Sequence, residues 1–247
     1  MLGLFGARAL REDAPAARQP PWARELRFAL LRPRGRLGLG YAAVEAAFVH
    51  APTRTLLLTD GLVHVPREPP AVLDRANLRA LGMPGNAVSV GAALTNWRGQ
   101  GAAIREADEA DARRPPTDAQ AVARGWKRNA VLSLYFGPSA DAIAAPERAF
   151  DALAGRWLVG PVCATLIYSS DKVRGALAEW VEQIASGRLG RFDTIVPAHL
   201  AVARGTPADV RRAFAPVLSG SATAAYRASD VRLLADLSAG LRTLGVI

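Results

Sequence analysis

The stretch AFVHAPTRTLLLTDGLVHVPREPP, residues 47–70, decides how this chain is read. Two short apolar runs, Val44 to His50 and Thr55 to Thr59, flank the four-residue connection Ala51-Pro52-Thr53-Arg54. Short apolar runs joined in this way predict a β-hairpin. Their hydrophobicity is continuous rather than alternating, which predicts burial on both faces. The second run ends in Asp60-Gly61, with His50 ten residues before the aspartate and His64 four after it. Aspartate at a strand end is a common turn residue. It is also the kind of carboxylate that the edge of an α/β sheet presents to a ligand.

The neighbouring segments set this hairpin in an α/β chain. Glu25 to Leu31 reads as a strand ahead of the turn at Arg32-Pro-Arg-Gly-Arg36. Pro66 to Pro70 ends any strand after Val65, and a short helix is predicted over Ala71 to Leu81. From Gly82 to Pro116 the periodicity decays, which predicts a surface loop or insertion over about 82–116. Thr117 with Gln120 three residues on forms a capping-box signature for a helix carrying Trp126, Val131, Leu134 and Tyr135. Trp157 to Tyr168 is a second buried run, broken at Gly160-Pro161. Ser170 or Asp171 then caps a helix whose apolar stripe is Val173, Leu177, Trp180, Val181 and Ile184. Phe192 to Ala198 is a strand that delivers His199. A helix follows Thr206-Pro207 to about Leu218, and another starts near Ser229. Residues 1–20 are read as a disordered extension rich in Pro, Ala and charge, 21–220 as the domain, and 221–247 as a C-terminal helix.

Composition narrows the function classes. No apolar run approaches the roughly 20 residues of a membrane helix, and no secretory signal is apparent, so a soluble intracellular protein is expected. Cys163 is the only cysteine, which excludes an internal disulfide framework; its apolar surroundings point to a buried, inert thiol. The net charge is +9, and Lys127 and Lys172 are the only lysines among 31 basic residues, the rest being arginine. Those arginines are scattered rather than gathered in a basic block, and aromatics are scarce, so nucleic-acid binding is the weakest of the readings. Gly38-Leu39-Gly40-Tyr41-Ala42-Ala43 matches G-x-G-x-x-A but lacks the preceding strand and following helix that a dinucleotide fingerprint needs, and is read as a chance match. His50 and His64 lack H-x-H-x-D-H or H-E-x-x-H spacing, and are read as structural first. His50 is placed to hydrogen-bond Thr53 or Thr55. Asp60 and His199 are the more suggestive pair, each at the end of a buried strand.

Several motifs carry a family resemblance. They are Pro21-Trp22-Ala23, Glu45-Ala-Ala-Phe-Val-His50, Thr53-Arg-Thr-Leu-Leu-Leu-Thr-Asp60 and Val65-Pro-Arg-Glu-Pro-Pro70. Arg124-Gly-Trp-Lys-Arg128, Leu134-Tyr-Phe-Gly-Pro-Ser139 and Phe192-Asp-Thr-Ile-Val-Pro-Ala-His199 follow in order. On these the chain resembles the family of domain of unknown function 4336 (DUF4336), from about residue 21 to 218. That family looks like a divergent branch of the metallo-β-lactamase superfamily. The resemblance implies an α/β fold that is part of an αββα sandwich, with a metal site at one edge. Asp60 would match the bridging aspartate and His199 the final histidine ligand, with His50 as a weaker third donor. Zinc, iron or manganese would be the metals implied.

The superfamily's H-x-H-x-D-H cluster is absent from this sequence, and a catalytic zinc takes three protein ligands plus water. The expectation is therefore a degenerate metallohydrolase scaffold, more an inactive than an active hydrolase. The alternative is a non-enzymatic binding or assembly protein. Loss of an N-terminal layer would leave one sandwich face for a second copy or a partner to cover. The resemblance also makes a plastid setting an expectation, as the family is typical of cyanobacteria and plastid-bearing organisms.

Overall fold

The computed structural model describes residues 10–13, 15, 18–33 and 45–246. The first part of the 47–70 stretch, to Leu58, lies at the centre of a five-stranded sheet. β1 (Leu26–Leu31) and β2 (Glu45–His50) pair antiparallel, and β2 turns into β3 (Thr55–Leu58), also antiparallel, with His50 opposite Thr55. The hairpin connection is therefore residues 51–54, and Arg54 closes it in a left-handed conformation (φ 52°). β6 (Thr194–Val196) joins β3 in parallel and β7 (Ala203–Arg204) completes the order β1-β2-β3-β6-β7. A two-stranded ribbon, β4 (Val63–His64) with β5 (Trp157–Leu158), stands apart from this sheet. A mixed sheet with many helices is an α/β fold, as the order of strand and helix signals predicted.

The expectation of burial on both faces of the hairpin is corrected. Exposure alternates along β2 and β3: Ala47, Val49, Leu56 and Leu58 are buried, while Ala46, Phe48 and Leu57 are only half-buried. The inner face packs on helices, where α7 (Asp171–Ala185) donates the Trp180 indole N–H to the carbonyl of Ala29 at 3.1 Å. The outer face carries Phe28 and Phe48 side by side at 6.1 Å, with Trp22 edge-on to both. A sequence run that is apolar on both faces does not tell which face has a helix to lie against.

The loop expected over 82–116 is also corrected. α1 (Arg75–Gly82) is followed by α2 (Ala87–Leu94), a 3-10 turn at Trp97–Gly99 and α3 (Gly101–Ala112). Asn86 caps α2 by accepting from the amides of Val88 and Ser89. The acidic run in α3 faces outward and is used: Asp108 accepts from the Gly85 amide at 2.7 Å and Asp111 pairs with Arg124 at 2.5 Å. These helices bury a small core of their own around Ala92, Ala93 and Ile104. So few large apolar residues leave little periodicity to read.

α4 (Asp118–Leu134) begins at the predicted capping box, with Thr117 and Gln120 satisfying each other's backbone amides. It crosses α1 at Gly82 and Gly125 so closely that a Cβ on Gly125 would lie 1.8 Å from the carbonyl oxygen of Leu78. α5 (Ala140–Ala144) and α6 (Glu147–Asp151) lead to β5, and a π-helical turn at Cys163–Ile167 leads to α7. All five stripe residues of α7 are buried. α8 (Pro207–Leu218) and α9 (Ala228–Thr243) close the chain. The G-x-G-x-x-A match at 38–43 lies outside the described residues. Within residues 1–20, the Glu12 carboxylate accepts from the Leu30 amide and the Leu10 carbonyl accepts from Arg32 at 3.1 Å. Among the described residues no helix is long and apolar enough to cross a membrane.

Candidate functional site

Asp60 follows β3 and His199 follows β6. These two strands run parallel with Leu57 opposite Val196, so both C-terminal ends emerge at one edge of the sheet. The pairing continues one step further, as the Ala198 amide donates to the Thr59 carbonyl at 3.2 Å. Two side chains far apart in sequence are thereby set together: His199 Nε2 lies 2.8 Å from Asp60 Oδ1. Both are open to solvent, with 65 % and 57 % of the side chain exposed for the histidine and the aspartate. The carboxyl ends of parallel strands are where open α/β sheets place ligands.

The edge is held from behind by Glu45, the first residue of β2, which is only 5 % exposed. Its carboxylate accepts from the backbone amides of Ala46 at 3.1 Å, Thr59 at 3.0 Å and Asp60 at 3.0 Å. The Thr59 hydroxyl donates to it as well, and the Tyr168 hydroxyl does so at 3.3 Å. A buried carboxylate is tolerable when donors surround it, and these donors fix the backbone from which Asp60 projects. Burial, and next the charge of Glu45, push the Tyr168 hydroxyl well above the usual phenol range.

Cys163 lies within reach of the same charges. Burial first, then Asp60 and Glu45, push its thiol up to about 12. The thiolate needed for nucleophilic chemistry is thus suppressed, although the residue is half-buried and not buried as the sequence reading had it.

The other two histidines are elsewhere. His50 stands at the opposite end of the hairpin, where its Nδ1 is 2.7 Å from the Thr53 hydroxyl. Its strand partner Thr55 precedes Asp60 by five residues, about 16 Å of extended chain at roughly 3.3 Å per residue. His50 as a third metal donor is therefore corrected: the hairpin's own register carries it away from Asp60. His64 lies in β4 with its ring 5.1 Å from that of Trp157.

Asp60 and His199 are carboxylate and imidazole, both ordinary zinc donors. The 2.8 Å observed is a direct hydrogen-bond contact, and a tetrahedral metal holding both atoms would part them to about 3.3 Å. A catalytic zinc needs three protein donors, however, and among the described residues no group of three or more His, Cys, Asp or Glu side chains converges. Asp60 and His199 supply two such donors, so no hydrolytic step follows from the pair alone. Glu45 was not singled out from the sequence. The available signal was an acid opening an apolar strand directly opposite the Thr59-Asp60 turn.

A family model described as "Domain of unknown function (DUF4336)" matches residues 2–149 of the chain. That span includes Glu45 and Asp60, and ends before α7 and His199. No curated protein and no solved structure matches.

Proposed function

We propose that this chain, which belongs to the DUF4336 family, is a metallo-β-lactamase-like scaffold whose metal centre is reduced to the Asp60–His199 pair and which acts by binding rather than by hydrolysis. The observation that carries the reading is the 2.8 Å contact between Asp60 and His199 at the ends of parallel strands. Its counterpart is the lack of a third converging donor among the described residues. Two donors hold a divalent cation weakly, and leave nothing to fix the geometry of an attacking water.

Elemental analysis of the purified protein tests this. Zinc, iron and manganese are each expected far below one equivalent per chain. One equivalent that survives dialysis against a chelator would contradict the reading, as a complete ligand set would then exist.

A second reading, assembly with another copy of this chain, is supported by the outer face of the sheet. Phe28, Phe48, Leu57 and Val196 share that face by register and are all half-buried, while Trp22 beside them is 38 % exposed. Two such faces pack on each other in β-sandwiches, and a two-fold axis would bury both at once.

A further inference from the structure

A cleft of about 280 Å³ opens between the β4–β5 ribbon and α8, and three arginines, Arg156, Arg204 and Arg212, line it together with one carboxylate, Asp209. Their charges are under-compensated. Arg212 is paired with Asp209 at 2.9 Å. Arg204 shares Asp193 with Arg54, both at 2.9 Å, so one carboxylate serves two guanidiniums. Arg156 is held by the uncharged carbonyls of Ala152 and Ala225. Such hydrogen bonds aim a guanidinium without neutralising it, and each guanidinium has five donors to offer.

The aromatic lining adds a second, independent observation. Trp157 and His64 both line the cleft, and the Trp157 indole N–H is fixed to the Arg204 carbonyl at 3.0 Å. The Nδ1 atom of His64 is buried with no hydrogen-bond partner. Among the described residues no protein group therefore fixes a proton on that nitrogen. Burial lowers the pKa of His64, a cost that an anion in the cleft would offset.

We infer that this cleft binds a small phosphate-bearing ligand, with Arg156, Arg204 and Arg212 on the phosphate oxygens and the Trp157–His64 wall against a short carbon skeleton. Guanidinium forks match phosphate oxygens in geometry as well as in charge. At about 280 Å³ the cleft lies at the small end of ligand sites, which suits a phosphate on a short carbon skeleton. Neither Asp60 nor His199 lines it, so the inference stands independently of the metal reading.

Inorganic phosphate is the probe. Titrated at constant ionic strength against chloride, it is expected to shift the Trp157 indole N–H resonance saturably, with the resonance assigned through a Trp157→Phe spectrum. The Arg204→Gln/Arg212→Gln double variant removes two exposed guanidiniums whose surface ion pairs add little to stability. It should keep the wild-type melting temperature and bind phosphate at least about tenfold more weakly. A shift that rises linearly with no saturation would overturn the inference, as would equal affinity in the folded double variant.

Discussion

At the scale of single residues, the edge of the sheet depends on one buried acid. Glu45 collects five donors from Ala46, Thr59, Asp60 and Tyr168. Glu45→Gln keeps the size but turns one acceptor oxygen into a donor that faces N–H or O–H groups. The variant is expected to lose about 1–3 kcal/mol of stability in urea unfolding, and to broaden or shift the His199 ring resonances as the Asp60 turn loosens. A wild-type unfolding midpoint would contradict that role.

His64 gives a pH prediction whose sign follows from burial. Its folded pKa lies below the ordinary 6.5, so between the two values the unfolded chain binds the extra proton. Its contribution to stability is whole above about pH 6.5 and is lost as pH falls through the depressed value. Comparing wild type with His64→Gln at pH 7 and at about pH 5 isolates this residue. Wild type should lose more stability than the variant over that interval; equal losses would show that His64 does not titrate in this window.

The residue scale was only partly legible. Asp60 and His199 could be picked out because each ends a strand. Glu45 could not, because its neighbours across the turn become visible only once the hairpin is registered.

At the scale of elements, the helices with strong ends or strong stripes were readable. The capping box of α4, the stripe of α7 and the Thr206-Pro207 start of α8 sit as the sequence predicted. α2 and α3 were not readable. They are rich in alanine and bury few large side chains, so their amphipathic signal is faint. The Arg124-Gly-Trp-Lys-Arg128 motif is a structural joint. Gly125 lets α4 touch α1, the Trp126 indole donates to the Pro66 carbonyl at 2.9 Å, and the buried Arg128 donates to the carbonyls of Ile143, Ala144 and Leu81. Burial, and next the charge of Arg124, bring the Arg128 guanidinium down to about 10.

Gly125→Ala would force its Cβ into the Leu78 carbonyl and part the two helices. A loss of at least about 1–3 kcal/mol is expected, read as a lower melting temperature by circular dichroism. An unchanged melting temperature would mean that the crossing is looser than 1.8 Å implies.

At the scale of the whole molecule, the sheet has helices against one face and a half-exposed aromatic cluster on the other. The α/β class was legible from the alternation of strand and helix signals. Which face lacks a covering helix among the described residues was not, because both faces of the hairpin are apolar. If two copies pack through that face, light scattering should show a dimer that Phe48→Glu converts to a folded monomer. A monomer at every concentration would remove the assembly reading and leave the metal corner untouched.

That corner is the central claim, and a zinc titration followed through the His199 imidazole resonances tests it most directly. The account predicts weak, saturable binding that shifts those resonances and disappears in both Asp60→Asn and His199→Ala. Binding that persists undiminished in Asp60→Asn, or tight stoichiometric zinc in wild type, would contradict it.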